Sequence, residues 1–389
     1  MRFPEFKEEW TFIKLKSISD NISYGISAQS KKYDGINKYI RITDIDDETS
    51  KFNQSNLTSP DCKLNDFYLL NTNDLLFART GASTGKSYLY SKRDGKVYFA
   101  GYLIRFRIRS NINSSFIFYQ TKTERFKNFI SIYSKRSGQP GINANEYGNY
   151  KFSMCNKLEQ IKIALFLSLI DSKIELINDK INILKKYKEG IKKYVIKNTI
   201  KFWKTGIGTA IELKNYLIEK NEYCVKNGLY PHITLSTEGI TDKSERYDRD
   251  FLVKNEDKKY KITHLNQLCY NPSNLKFGVI CINKYGNGIF SPIYITFDIN
   301  NIVIDYLELI ITSNDFINYS MKYQQGTVFE RMAVSSDDLC KIKIVVTSFD
   351  DQQKIAKVAD TLNKKISKLE DELLSLKHLK STLLNDMFI

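Results

Sequence analysis

The chain has 389 residues, of which 42% are hydrophobic and 13% aromatic, so it can fold around two or three cores and is not a disordered protein. The formal net charge of +15 suits a polyanionic partner such as nucleic acid, because each Lys or Arg placed on a phosphate releases a counterion. An AT-rich genome, which favours Lys, Asn and Ile, is the alternative source of this charge. No run of about 18 apolar residues is present to span a membrane, and the first six residues lack the hydrophobic stretch of a secretion signal.

Residues 1–156 mix short β-type runs with turn residues and are predicted to form a first globular domain. The clearest runs are 39–42, 75–77 and 102–108, separated by Gly and Asn clusters. A helical pattern covers residues 116–133.

Residues 157–200 are predicted to form a long helix that needs a partner helix. Its apolar residues advance in alternating steps of four and three, and such a seam has to be buried against another helix. Lys188 interrupts the seam. The residues predicted to pack across it are Ile163, Leu167, Ile170, Ile174, Ile177, Ile181 and Leu184.

Residues 201–348 repeat the mixed pattern and are predicted to form a second globular domain, with β-type runs such as 279–282 and 342–346. Residues 266–270 line up roughly with 73–77 of the first domain, and each stretch is followed by a Gly-containing loop and an aromatic-rich strand. Elsewhere the two domains diverge strongly, as expected of two copies of one scaffold that read different targets.

Residues 349–389 are predicted to form a second long helix, with Ser348 as its N-cap. Its seam follows the same steps, and each member lies 192 positions after its counterpart in the first helix. The break recurs at Lys380, and polar residues such as Gln160 recur as well, here as Gln352. The pattern therefore predicts an internal duplication. The residues predicted to pack across this second seam are Ile355, Leu362, Ile366, Leu369, Leu373 and Leu376.

A lysine within an apolar seam can fix the register of a helix pair at some cost in stability. We interpret Lys188 and Lys380 as marks of where the packed seam frays or meets a partner protein.

The sequence carries no credible catalytic, cofactor or metal site. The loop 81–87 has three residues between its glycines where a phosphate-binding loop has four, and residues 60–61 with 94–96 match a nuclease motif only formally. Residues 271–274 lack the second proline and the aromatic residue of an amino-methyltransferase motif. The three histidines are too scattered for a zinc site, and the six cysteines, with no C-x-x-C pair, predict reduced thiols in the cytoplasm.

The order of these features resembles the specificity (S) subunit of type I restriction–modification systems, in which two target-recognition domains alternate with two repeat helices. The second half departs from the pattern, because its domain start near Trp203 and Leu213 is weaker and we expect no equivalent of the loop 79–86. The stretches that carry the resemblance are Trp10 with Leu15, 73–81 followed by Gly85 and Lys86, 158–161, 288–294 and 351–356.

The resemblance implies an α+β fold of two similar mixed domains, separated and followed by two long helices packed as an antiparallel coiled coil with a pseudo-twofold internal repeat. It implies a DNA-recognition subunit that is not itself an enzyme. Each half would read one part of a bipartite DNA target, and the helices would set the spacing and dock two methyltransferase subunits, which restriction or translocase subunits can join. S-adenosylmethionine, ATP and Mg²⁺ are expected on those partners. A coiled-coil scaffold or adaptor that binds protein rather than DNA is the open alternative.

The residues expected to contact DNA lie in polar loops between strands. Lys and Arg would mainly hold phosphates, whereas Asn, Gln and some Arg can pair bidentately with base edges. A plain turn remains the alternative for residues 137–141. The candidates in the first half are Arg79, Thr80, Ser83, Thr84, Lys86, Arg136, Ser137, Gln139 and Asn143. Those in the second half are Asn283, Lys284, Tyr285, Asn287, Gln324, Gln325, Thr327 and Arg331.

Overall fold

The computed structural model describes residues 2–135, 138–225, 228–243, 259–325 and 332–388. The chain divides into two compact units. The first unit consists of residues 1–178 together with 371–389, and the second consists of residues 179–370.

The described residues of the first unit form a four-stranded antiparallel sheet, several smaller strand pairs and three short helices. Its strands are β1 (Thr11–Lys14), β2 (Ser19–Tyr24), β3 (Ser30–Lys32), β4 (Lys38–Ile40), β5 (Thr58–Pro60), β6 (Asp74–Ala78), β7 (Ser87–Leu89), β8 (Val97–Phe99), β9 (Leu103–Ile108) and β10 (Lys151–Met154). Its short helices are α1 (Ser114–Gln120), α2 (Glu124–Tyr133) and α3 (Ala144–Asn149). The sheet has the strand order β2-β9-β6-β7, and β1 pairs separately with β10.

Strand β6 is buried along its whole length and separates two cores. Because side chains alternate along a strand, Leu75 and Phe77 pack with the helices, whereas Leu76 and Ala78 pack with β8 on the other side. The carboxylate of Asp74, at the start of β6, accepts two hydrogen bonds from the Arg107 guanidinium at 2.7 and 2.9 Å. This strand therefore fixes where the loop that follows it leaves the sheet.

Two long helices run through the chain. The first, α4, spans Lys157–Thr205 and so ends five residues later than the predicted limit of 200. It contributes its residues up to Asn178 to the first unit and those from Asp179 to the second.

The second unit repeats the organisation of the first. Its strands are β11 (Ile211–Glu212), β12 (Leu217–Lys220), β13 (Tyr223–Val225), β14 (Ile233–Ser236), β15 (Gly239–Asp242), β16 (Lys259–Thr263), β17 (Leu268–Tyr270), β18 (Ile280–Ile282), β19 (Gly288–Phe290), β20 (Ile295–Ile299) and β21 (Lys343–Ile344). Its short helices are α5 (Ile304–Ile311), α6 (Asn314–Ser320) and α7 (Ser336–Cys340), and the second long helix, α8, spans Phe349–Met387. The main sheet has the order β12-β20-β17-β18, and β11 pairs with β21.

The predicted internal repeat is confirmed by equivalent details in the two units. Asn73 and Asn266 precede the matching strands β6 and β17, and both adopt positive φ angles, 72° and 67°. The Gln160 carboxamide accepts a hydrogen bond from the Asn113 amide, as Gln352 does from the Val303 amide, each at 3.0 Å. The units differ in their smaller pairings, which are β3–β5 and β4–β8 in the first unit but β13-β16-β19 and β14–β15 in the second.

The long helices pack antiparallel within each unit. In the first unit Asp171 pairs with Lys380 at 2.5 Å, and Lys173 pairs with Glu372 at 3.0 Å. Residue numbers therefore increase along α4 in the direction in which they decrease along α8. In the second unit Lys185 pairs with Glu370 at 2.7 Å. None of the residues predicted to pack across the two seams is exposed.

Candidate nucleic-acid interface

In the first unit, the loop between β6 and β7 lies against the segment that precedes α3. The Gly81 amide donates to the Pro140 carbonyl at 2.9 Å, and the Ile142 amide donates to the Arg79 carbonyl at the same distance. The side chain of Gln139 is exposed and lies against Gly81. A Cβ atom added to Gly81 would be 3.0 Å from the Nε2 atom of Gln139. Two groups of predicted DNA contacts, far apart in sequence, therefore form one surface, which we call the hairpin surface (residues 79–86 and 139–143).

The hairpin surface is anchored to the sheet and helices beneath it. The Tyr147 hydroxyl accepts a hydrogen bond from the Gly85 amide at 3.0 Å and donates one to the Ala78 carbonyl at 2.8 Å. Gly85 has a φ of 92°, and an added Cβ would lie 2.7 Å from the side chain of Ile130. The loop therefore requires glycine at this position and presents a fixed backbone.

Arg79 is the predicted cation of this surface that has no carboxylate partner among the described residues. Its guanidinium lies over the ring of Tyr24, 4.9 Å from the centroid, and it forms no ion pair among the residues that the structure describes. A cleft of about 780 Å³ opens beside it, lined by Arg41, Thr43 and Tyr102 among others. The sequence analysis did not predict Tyr24 or Tyr102. The signal present in the sequence was a tyrosine next to a glycine, as in Tyr24-Gly25 and Gly101-Tyr102, and the structure shows both tyrosines exposed.

Three other predicted residues of the first unit have local partners. Lys86 pairs with Asp47 at 2.6 Å, and Thr84 donates to the Gly81 carbonyl at 2.8 Å. The Asn143 side chain caps α3 by accepting from two backbone amides, so its oxygen serves the helix. Thr80 and Ser83 are half-exposed members of the loop, whereas Arg136 and Ser137 lie outside the described residues.

The second unit has a loop at the equivalent place, contrary to the expectation that it has none. Residues 271–279 connect β17 to β18 as residues 79–86 connect β6 to β7. The Val334 amide donates to the Pro272 carbonyl at 3.2 Å, as Ile142 does to Arg79 in the first unit. Gln325, which follows Gln324, forms an antiparallel β-bridge with Ala333, the residue before Val334. Thr327 and Arg331 lie outside the described residues.

The remaining candidates of the second unit follow β18 at its other end. Asn283 is fully buried, its amide donates to Thr263 and Gly286, and its carbonyl oxygen accepts from two backbone amides. Both polar atoms of the Asn283 side chain are therefore hydrogen-bonded within the protein, and the prediction that this residue contacts DNA is wrong. Lys284 pairs with Asp305 and Glu308 on α5 at 2.6 and 2.8 Å.

Two neighbours of Asn283 are also engaged. Tyr285 donates to Asp242 at 3.3 Å, and Asn287 lies 3.0 Å from the His264 ring. The six described candidates of the second unit therefore do not form one surface, because residues 283–287 and residues 324–325 lie at different ends of the hairpin.

Among the described residues, no group of three or more His, Cys, Asp or Glu side chains is arranged to hold a metal ion. No helix in the described ranges is long and apolar enough to cross a membrane.

Comparison with known proteins places the first half of the chain in a defined family. Residues 7–186 match the family model described as Type I restriction modification DNA specificity domain. The putative type I restriction enzyme MjaX specificity subunit of Methanocaldococcus jannaschii is 29% identical over 196 residues, which are 49% of this chain and 46% of that protein. The match thus spans about half the length of this curated relative.

Solved structures show the same fold over nearly the whole chain. The Type-I restriction-modification system S subunit from M. genitalium has a TM-score of 0.64 at 17% identity, covering 98% of this chain and 96% of that one. A chain from a study of complex assembly and conformational transition of the type I R-M system has a TM-score of 0.50 at 11% identity, covering 96% of each chain. The first half of the chain thus carries the type I restriction modification DNA specificity domain, and the chain as a whole has the fold of the solved S subunit.

Proposed function

We propose that the protein is the DNA sequence-recognition subunit of a type I restriction–modification complex, in which each unit reads one part of a bipartite target. The observation that carries this proposal is the repeated scaffold with different surfaces. Both units present a hairpin loop beside the segment before a short helix, on sheets of the same strand order, while the loops differ in sequence and the smaller strand pairings differ in topology. Such an arrangement suits two readers of different base sequences.

The hairpin surface of the first unit has the chemistry for this task. The guanidinium of Arg79 and the amide of exposed Gln139 can each pair bidentately with a base edge. Lys86 can exchange its carboxylate partner, Asp47, for a DNA phosphate, because the Asp47 side chain is exposed and water weakens its ion pair. The excess of positive charge on the chain favours the same polyanion.

The long helices would act as spacer and docking site for two methyltransferase subunits. Helix α4 has 49 residues, which at 1.5 Å per residue makes it about 74 Å long. We propose that this chain supplies no catalytic group and that S-adenosylmethionine, ATP and Mg²⁺ bind to the partner subunits, including any restriction or translocase subunit that joins.

A gel-shift experiment tests the proposal. The purified chain, together with its methyltransferase partner, should retard duplex DNA that carries the target, and specific DNA should outcompete random duplex. A coiled-coil scaffold would bind the partner protein without retarding DNA. Nuclease or ATPase activity of the chain alone with Mg²⁺ and ATP would contradict the non-catalytic role.

A further inference from the structure

The two seam lysines occupy matching positions but differ in their partners. In the first unit, the Lys380 ammonium lies 2.5 Å from one carboxylate oxygen of Asp171, and the other oxygen accepts a hydrogen bond from the Tyr119 hydroxyl at 2.9 Å. In the second unit, Lys188 is half-buried and forms no ion pair among the described residues. The reason lies in the sequence, since the counterpart of Asp171 in the repeat is Asn363.

A second difference lies at the same place. In the first unit, Lys122 is inserted between α1 and α2, and its ammonium donates to the hydroxyls of Ser50 and Ser87 at 2.6 and 2.7 Å. In the second unit, Thr312 at the end of α5 is followed directly by Ser313, the N-cap of α6, so the inserted lysine has no counterpart. The second unit therefore lacks both a cation and an anion that the first unit has, and Lys188 remains.

A cavity of about 630 Å³ occupies this place in the second unit. Its volume falls within the range of roughly 300–1,000 Å³ found for small-molecule sites. Its lining includes polar groups from Lys188, Asn363 and Thr237 and apolar side chains from Ile240, Ile280 and Leu309. A cavity of this size holds more than a single inorganic ion.

The charges that line the cavity are mostly neutralised in pairs. Lys284 pairs with Asp305 and Glu308, and Lys192 pairs with Glu189 at 3.3 Å. Asp360, another lining residue, pairs with Lys364 at 2.7 Å, whereas Glu238, which also lines the cavity, forms no ion pair among the described residues. The ammonium of Lys188 is the lining cation without such a partner among the described residues.

The environment of Lys188 does not favour its charge. Burial lowers its pKa, and neighbouring Lys192 adds to the effect. A bound anion would stabilise the charged form.

We propose that this cavity binds a small organic anion, whose phosphate or carboxylate group lies beside Lys188 as the Asp171 carboxylate lies beside Lys380. The Asn363 amide would donate a hydrogen bond to the anionic group, and the apolar wall would contact the organic body of the ligand. The replacement of a carboxylate by the Asn363 amide thus leaves Lys188 available to a ligand, whereas Asp171 occupies Lys380 in the first unit. The inference does not depend on DNA recognition.

Isothermal titration calorimetry on the full chain tests this with three probes: AMP, benzoate and inorganic phosphate. We expect AMP or benzoate to bind with a stoichiometry of one, and at least tenfold more tightly than inorganic phosphate, because phosphate has no organic body for the wall. Binding by AMP alone would identify a phosphate ligand, and binding by benzoate alone would identify a carboxylate. Absence of binding by all three probes would overturn the proposal.

Three variants locate the site. Lys188→Met should weaken binding at least tenfold, and Asn363→Asp should do the same by supplying the internal carboxylate. Asn363→Asp should also raise the melting temperature of the second unit, since it recreates the ion pair of the first, so lost binding cannot be attributed to unfolding. The matched control, Lys380→Met in the first unit, should leave binding unchanged. Binding that survives both Lys188→Met and Asn363→Asp would place the ligand elsewhere.

Discussion

Arg79 is the residue on which DNA binding by the first unit should depend most, because its guanidinium is held over Tyr24 without an ion-pair partner in the described structure. Arg79→Ala should weaken binding of specific duplex by about 1–3 kcal/mol, the usual effect of losing a bidentate base contact. If Arg79 instead binds a phosphate, the loss should be similar for specific and random DNA, and the dependence on salt should become shallower. Titrations at several salt concentrations distinguish these outcomes.

Arg109→Ala is the matched control. This arginine pairs with Asp20 at 3.3 Å and follows β9 at the end of the sheet opposite to the hairpin surface, because Leu103 pairs with Ala78 and Arg107 with Asp74. Its replacement should leave DNA affinity unchanged. An Arg79→Ala protein with wild-type affinity at every salt concentration would remove Arg79 from the interface.

Lys122 should make the stability of the first unit depend on pH. Burial, reinforced by Lys380 and opposed by Asp171, lowers the pKa of this lysine from 10.5 to about 7. Between these two values the unfolded chain binds a proton that the folded chain does not, so stability rises as pH increases from about 7 towards 10.5. Urea unfolding should show wild type gaining stability relative to Lys122→Met between pH 7 and pH 9. A constant difference between the two proteins would contradict the shifted pKa.

Polar side chains were the least predictable part of the interface from sequence. Arg79 and Asn283 both follow β-type runs in loops rich in Gly and Asn, yet one is half-exposed and the other is fully buried in a hydrogen-bonded turn. The difference arises from Thr263, whose hydroxyl accepts a hydrogen bond from the Asn283 amide. Thr263 lies on β16, 20 residues earlier in the chain. Loop composition carries no information about such a partner.

At the scale of elements, Gln160 and Gln352 attach each long helix to the helical pair of its own unit. Beyond accepting from the amides before α1 and α5, they donate to the Cys155 and Thr347 carbonyls at 2.8 and 2.9 Å. Both are about 4% exposed, so removing either carboxamide leaves buried backbone groups unpaired. Gln160→Ala should destabilise the first unit, and Gln352→Ala the second, by roughly 1–3 kcal/mol.

The chain provides its own reporters for this experiment. Its two tryptophans lie in different units, Trp10 beside Phe388 in the first and Trp203 stacked on Tyr319 in the second. In a Trp203→Phe background, fluorescence follows the first unit, and in a Trp10→Phe background it follows the second. Gln352→Ala should shift the Trp203 transition and leave that of Trp10 in place. Equal shifts of both transitions would show that the units unfold together.

The long helices and the repeat were predictable because a seam of large apolar residues is a periodic signal over many turns. The short helices were harder to separate. The helical pattern over residues 116–133 is two helices, because the Thr123 side chain caps α2 by accepting from the Phe126 amide. The hairpin loop of the second unit was missed because its conformation, with a 3₁₀ turn at Leu275–Phe277, uses a different sequence from that of Gly81–Ser83.

At the scale of the molecule, the helices are proposed to set the distance between the two half-sites. Inserting four residues, about one helical turn, after Asn178 in α4 and after Glu370 in α8 preserves the antiparallel register while lengthening each helix by about 5–6 Å. The unread gap of the DNA target should then grow by one or two base pairs, with both half-sites unchanged. Methylome sequencing of cells that carry the variant and its partner subunits measures this directly.

An insertion in one helix alone serves as the control. On one side of the insertion it shifts one helix relative to the other, so that pairs between the helices, such as Lys185–Glu370, cannot all form. We therefore expect impaired assembly of the complex and no new gap length in the DNA target. An unaltered gap in the double insertion would contradict the spacer role.

The division of α8 between the two units also bears on the order in which they can fold during synthesis. Residues 179–370 hold everything that the second unit contains. The core of the first unit, in contrast, includes Leu383, Leu384, Met387 and Phe388. Domains generally fold in the order in which the ribosome releases them, but here the half that is translated first must wait for residues near 388. A growing chain therefore completes its second unit first, and a premature stop after Glu370 would spare the second unit while leaving the first without part of its core.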